Sequence, residues 1–140
     1  MAQPDPALAV LACMDPRIDL PAILGDRSPG FRTIRNAGGL ATPDAVRSLV
    51  LCRWAFGTRQ ITVIQHTRCG LQGLDEEGLQ SQIARATGTT FAGSFGSFGD
   101  VEATMRETVA ALAANPLLAD VRVRGLVYDV DGAGVIASAG

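Results

Sequence analysis

The stretch Leu8-Ala9-Val10-Leu11-Ala12-Cys13-Met14-Asp15-Pro16-Arg17 decides the fold. Its first half is a short apolar run, which predicts a buried strand over residues 8–12. Pro16 has no N–H to give a ladder and turns Asp15 away from helical angles, so the strand stops there. A thiol, a carboxylate and a guanidinium then stand together at the strand's carboxyl end. In open α/β sheets that edge is where ligands bind. A second stretch answers the first. Ile61-Thr62-Val63-Ile64-Gln65 reads as another buried strand, and it runs into His66-Thr67-Arg68-Cys69-Gly70. If the two strands lie side by side, Cys13, His66 and Cys69 converge.

Working outward, Asp19 can cap a short helix that has Pro21 in its first turn and Gly25 at its end. Phe31-Arg32-Thr33-Ile34 reads as a second strand. It leads into Arg35-Asn36-Ala37-Gly38-Gly39, a loop whose glycines permit close backbone approach. Thr42-Pro43-Asp44 is a strong helix start, and Gly57 is its stop. Apolar residues lie nearly all round the helix between them, which predicts a largely buried element. Residues 71–86 are mixed, with Leu79, Ile83 and Ala86 at helical spacing. Residues 88–99 are rich in Gly, Ser and Thr, but Phe91, Phe95 and Phe98 argue for an ordered loop pinned to a surface. Asp100 caps a further helix with Val101, Met105, Val109 and Leu112 on one face. Residues 121–130 make the last long strand, and Asp131-Gly132-Ala133-Gly134 turns into a short edge strand at Val135 and Ile136. The alternation predicts an α/β fold: a single domain over residues 8–140, with a mainly parallel central β-sheet flanked by helices. Residues 1–7 read as a flexible N-terminal lead-in.

With 140 residues, 47% of them hydrophobic, the chain is long enough for one well-packed core. The net charge is -2 and no basic cluster stands out, so nucleic acid is not the expected partner. No apolar run is long enough to span a membrane, and no signal peptide is visible. Three cysteines without a secretory signal point to a reducing, cytoplasmic setting and to thiolate chemistry rather than disulfides.

Two thiolates and an imidazole suit zinc, and a set of three leaves a position open, as a catalytic site requires. On spacing alone the alternative is equally good: Cys13 and Cys69 as small buried apolar residues, His66 as a hydrogen-bonded core residue. Cys52 lies on what reads as a buried face of the helix after Thr42, and there burial is the better reading. Asp15 and Arg17 can orient a nucleophile beside a metal, the arginine holding the carboxylate ionised. They can equally form an ordinary surface ion pair. Arg35 and Asn36 read either as loop braces or as groups that orient the ligands.

Taken in order, Cys13-Met14-Asp15-Pro16-Arg17, Arg35-Asn36-Ala37-Gly38-Gly39 and His66-Thr67-Arg68-Cys69-Gly70 resemble the signatures of the β-class carbonic anhydrases. The resemblance extends to Tyr128-Asp129-Val130 and covers most of the chain. It implies one Zn2+ per chain held by Cys13, His66 and Cys69, with Asp15 and Arg17 as the catalytic dyad. Asp15 is a fourth ligand in a closed form of some members. It further implies that Arg35, Asn36, Gly38 and Gly70 stand close to ligands or substrate, and that the protein is a homodimer or higher homo-oligomer. Pro16 and Arg68 depart from the residues usual in the family, and only a short segment precedes Cys13.

The function so implied is reversible hydration of carbon dioxide to bicarbonate and a proton, by a hydroxide generated on zinc. Two alternatives stay open: hydrolysis of carbonyl sulfide or carbon disulfide on the same scaffold, and a non-catalytic zinc- or bicarbonate-binding relative. The chain has one histidine, His66. If it is a ligand, no imidazole remains to carry protons out. Asp75 and Glu76, just past the His66 loop, are the nearest acidic substitutes.

Overall fold

The computed structural model describes residues 5–25 and 30–140. β1 (Asp5–Cys13), β2 (Phe31–Asn36), β3 (Gln60–His66), β4 (Arg122–Asp129) and β5 (Gly134–Ala139) form one sheet in the order β2-β1-β3-β4-β5. The first four strands are parallel, and β5 runs antiparallel along β4. β1 begins three residues before the strand read from the sequence, so only the first four residues of the expected lead-in lie outside the described residues. β2 and β3 each run on into their functional loops: β2 ends at Asn36, the second residue of its loop, and β3 at His66, the first of its own.

Helix starts follow the capping chemistry. The side chains of Asp19, Thr42 and Asp100 accept N–H groups at the starts of α1 (Leu20–Leu24), α2 (Pro43–Phe56) and α4 (Val101–Ala113). Asp75 does the same for α3 (Glu76–Thr87), a cap not anticipated from the sequence.

The two faces of the sheet carry alternate residues of each strand. On one face Leu11, Ile61 and Val63, all fully buried, meet Leu49 of α2 and Met105 and Leu112 of α4. Each such side chain contributes about 1.5–3 kcal/mol by leaving water. On the other face Leu8, Val10, Ala12 and Ile64 pack with Ile18 and Leu20 around α1. Among the described residues, no helix is long and apolar enough to cross a membrane.

One expectation fails in part. α2 is not largely buried: only Ala45, Leu49 and Cys52 are, while Leu51, Trp54 and Phe56 are exposed. An amphipathic stripe was hidden under apolar residues on both sides of the helix. The outer ones are partly tethered: the Trp54 indole N–H donates to the Leu117 carbonyl, and Arg53 stacks over its ring.

The loop after β2 depends on Gly39. Its φ is +64°, and a Cβ there would lie 2.9 Å from the Cys13 nitrogen and 3.0 Å from the Ile64 oxygen, both backbone atoms. Neither atom can give way without breaking the β1–β3 ladder. Gly39→Ala should therefore cost about 2–4 kcal/mol in urea unfolding. Gly57, also at positive φ but facing open space, is the control. Gly57→Ala should cost only about 1 kcal/mol. Equal losses at the two positions would contradict the close-approach argument.

Candidate metal centre

Parallel pairing sets the carboxyl ends of β1 and β3 side by side, with Ala12 opposite Ile64. Cys13 thus ends one strand, His66 ends its neighbour, and Cys69 follows three residues on. All three are buried. Their ligand atoms lie within 4.8 Å of one another. Donors on one zinc ion stand about 3.3–3.8 Å apart, so only a small contraction separates this arrangement from a coordination sphere.

The imidazole is prepared for such a role. His66 Nδ1 lies 2.6 Å from the Thr67 carbonyl, an acceptor, so Nδ1 carries the proton and Nε2 keeps its lone pair. Nε2 is buried and has no hydrogen-bond partner among the described residues. A buried nitrogen left unpaired costs about 1–3 kcal/mol, and a cation is the natural occupant opposite it. Burial alone would lower the His66 pKa, but the Cys13 sulfur, the Thr67 carbonyl and Asp15 outweigh it and raise it. Cys13 shows the same contest. Burial raises its pKa, yet His66 and the backbone N–H groups of Asp15 and Gly38 bring it down to about 7. Cys69 is pushed up by burial and by the nearby Cys13. Pro16 therefore leaves two backbone donors on the Cys13 sulfur.

Asp15 is clamped by Arg17. Nε donates to Oδ1 at 3.0 Å, Nη2 to Oδ2 at 2.7 Å, and the Arg17 backbone N–H to Oδ1 at 2.9 Å. These bonds, opposed by partial burial, hold the carboxyl well below the usual carboxylate range. Asp15 Oδ2 stands 3.7 Å from His66 Nε2, at the edge of the ligand group but engaged with Arg17. The same Nη2 also donates to the carbonyl of Arg68, whose φ of +55° turns that oxygen toward it. The Arg68 side chain turns away and pairs with Asp131, so its charge is largely spent at the surface.

Arg35 and Asn36 both hydrogen-bond to the loops that carry the site. The Arg35 guanidinium donates to the carbonyls of Cys13, Asp15 and Ile18, fixing the loop that carries both thiol and carboxylate. The Asn36 amide accepts the Leu40 N–H and donates to the Leu40 carbonyl, closing the turn that brings Gly38 to Cys13. Gly38 and Gly70 line the cleft itself. This cleft, of about 400 Å3, is floored by Cys13, Asp15 and Cys69 and walled by Met14, Pro16, Ala37 and Leu71. Its walls are apolar, which suits a small uncharged substrate. Cys52 is elsewhere, in the core between α2 and the sheet. Sequence reasoning missed Thr67, whose carbonyl sets the imidazole tautomer, and Leu71, whose side chain forms a wall. Thr67 was inside the quoted motif; nothing local marks Leu71.

A mainly parallel sheet with two thiols and an imidazole at its carboxyl edge, and an arginine-clamped aspartate beside them, defines an α/β protein with a side-chain group that could hold a metal. No family model matches the chain. It is, however, 33% identical over 128 residues to β-carbonic anhydrase 1 of Mycobacterium tuberculosis, covering 91% of this chain and 78% of that one. It is also 33% identical to a carbon disulfide hydrolase of Acidithiobacillus thiooxidans, over 89% of this chain and 69% of that one. The carbonic anhydrase of Streptococcus mutans superposes with a TM-score of 0.87 and 34% identity, over 96% of this chain and 82% of that chain. The chain belongs to the β-carbonic anhydrase family.

Proposed function

We propose that this protein binds one zinc ion through Cys13, His66 and Cys69 and catalyses the reversible hydration of carbon dioxide to bicarbonate. The observation that carries the reading is the buried, unpaired His66 Nε2 facing two thiols, with Asp15 held beside it by Arg17. When bound, zinc supplies an acidified water as nucleophile. The chain does the rest. Asp15, an acceptor only, takes a hydrogen bond from the nucleophile and so leaves its lone pair facing the substrate. Arg17 holds the carboxylate in that state, and the Leu71 side of the cleft gives the apolar molecule a dry surface. Three free cysteines, two of them in the ligand set, fit a reducing compartment, the cytoplasm. The exposed Leu51, Trp54 and Phe56 on α2 fit association into a homodimer. Light scattering at micromolar concentration should then give twice the chain mass; a monomer contradicts the pairing.

The test is stopped-flow hydration of carbon dioxide by zinc-loaded protein from neutral to alkaline pH. Its buffer dependence is informative. His66 is committed to the ligand group, and the acidic candidates are committed too. Asp75 caps α3, and the Glu76 carboxyl is brought to about 2 by hydrogen bonds from Ser97 first and then from the Phe95 and Ser97 N–H groups. A carboxylate so far below neutrality relays protons poorly. Protons should leave through water to external buffer. Raising an imidazole buffer at constant ionic strength should raise kcat several-fold and leave kcat/KM nearly unchanged. A kcat independent of buffer would show a proton carrier within the chain.

A second reading has its own support. Carbon disulfide hydrolases stand among the relatives, one from Saccharolobus solfataricus being 46% identical over 67 residues, 48% of this chain and 33% of that one. Carbon disulfide is also small, linear and apolar. Hydrogen sulfide release from carbon disulfide, faster than carbon dioxide hydration at equal concentration, would favour it.

A further inference from the structure

The helix α3 buries no residue, yet it holds one of the densest polar anchors in the molecule. The Glu76 carboxylate at its first turn accepts the N–H of Phe95 at 2.6 Å and of Ser97 at 3.0 Å, and the hydroxyls of Ser97 at 2.6 Å and Ser94 at 3.1 Å. It reaches 18 to 21 residues along the chain to do so. The anchored turn is held from its other side as well. Gly73 N–H donates to the Phe98 carbonyl and Phe98 N–H to the Leu71 carbonyl. The turn is thus pressed against the apolar wall of the cleft. At Gly96, φ +88°, a Cβ would come 2.8 Å from Leu40 Cδ1. Phe95 and Phe98 pack on the small cluster of Cys13, Cys69 and Leu71. Leu71 in turn abuts Gly38, where a Cβ would meet Leu71 Cδ1 at 2.9 Å. Gly38 is the residue whose N–H lies on the Cys13 sulfur. A continuous chain of contacts therefore runs from an exposed helix start to the substrate face of the ligand group.

We propose that Glu76 is a positioning residue for the substrate wall: by fastening residues 94–97 it seats Phe95, Gly96 and Phe98 behind Leu40 and Leu71, and so fixes the apolar surface beside Cys13 and Cys69. This rests on the hydration reading above. Glu76 touches neither ligand nor substrate. Its effect belongs to capture of the apolar molecule, which enters kcat/KM. Proton removal to buffer, which governs kcat, does not involve the wall.

The test uses zinc-loaded protein and the variants Glu76→Ala, Glu76→Gln and Ser97→Ala. Three readouts are taken: carbon dioxide hydration at one fixed imidazole concentration below saturation, the rate of zinc transfer to a chromophoric chelator, and amide exchange at Phe95 and Ser97. Glu76→Ala should lose about tenfold in kcat/KM with kcat within about twofold of wild type, a displaced wall costing less than displaced reacting groups. Zinc transfer should quicken several-fold as the cover over the thiolates loosens. Glu76→Gln keeps one oxygen acceptor and should recover part of both effects. Ser97→Ala should move both in the same direction by less, and it carries the test if Glu76→Ala fails to fold. Lost amide protection at Phe95 and Ser97 with unchanged kcat/KM and unchanged zinc transfer would overturn the proposal. So would an equal fall in kcat and kcat/KM. A wild-type protein that holds zinc but does not hydrate carbon dioxide refutes the activity reading instead. The wall is then judged by zinc transfer alone: faster transfer in Glu76→Ala supports it and an unchanged rate overturns it.

Discussion

Cys13→Ser and Cys69→Ser should each reduce bound zinc from about one equivalent per chain to a small residue after dialysis, while Cys52→Ser keeps it. Serine is nearly isosteric with cysteine, so the change is one of donor chemistry. A hydroxyl stays protonated where a thiol gives up its proton, and zinc prefers the thiolate. Cys13 is the more readily ionised of the pair, since Asp15 and Gly38 N–H groups already lie on its sulfur. Its loss should weaken binding by at least the roughly 10–100-fold typical of losing a group that merely orients a ligand. Cys52 gives the opposite phenotype. It sits in the core among Leu49 and its neighbours, where burial raises its thiol pKa. A hydroxyl there should cost about 1–2 kcal/mol of stability and no zinc. Metal analysis and urea unfolding on the same three variants separate the two roles. Equal zinc loss from all three would remove the ligand assignment.

How much of this was legible beforehand depends on how local each feature is. The strands β1 and β3 were readable as apolar runs, and the polar residues that end them mark the sheet edge. Caps were readable for the same reason: Thr42 and Asp100 act on residues three positions away. The convergence of Cys13, His66 and Cys69 followed once the two strands were taken as neighbours, and the ladder pairs them directly. Burial of α2 was overestimated because composition does not say which flank meets the sheet. Arg35 had two equal readings, and the three carbonyls it meets, those of Cys13, Asp15 and Ile18, were not legible in the sequence. The sequence predicts a loop over residues 88–99 pinned by Phe91, Phe95 and Phe98; Phe95 and Phe98 are packed, while Phe91 is exposed, its ring resting on that of Phe95. The loop's polar anchor was illegible, since nothing in the run Asp75-Glu76-Glu77 says which carboxylate will meet a turn some twenty residues later. Glu76 could pass for a proton carrier in the sequence; in the fold its lone pairs are occupied.

Asp15→Asn should lower kcat/KM for carbon dioxide by about 10²–10³-fold, the range seen when a group aimed at the reacting atoms is removed, with zinc content still near one. The substitution keeps size and shape, and the three ligand side chains are untouched. What changes is hydrogen-bond polarity. The carboxylate, kept ionised chiefly by the Arg17 guanidinium, only accepts. The amide replaces one acceptor oxygen with a donor NH2, which repels the Arg17 N–H groups or turns toward the cleft. Either way the nucleophile loses its directing acceptor. Arg17→Ala probes the same pair from the other side. Asp15 would be freed from its clamp while 3.7 Å from His66 Nε2. It should then move into the ligand group and occupy the position that the nucleophile needs. Activity should fall, but zinc should be released to a chelator more slowly, not faster. In cobalt-loaded protein the visible spectrum should shift for Arg17→Ala and stay close to wild type for Asp15→Asn. Near-normal hydration by Asp15→Asn would show that the carboxylate is no more than the surface partner of Arg17.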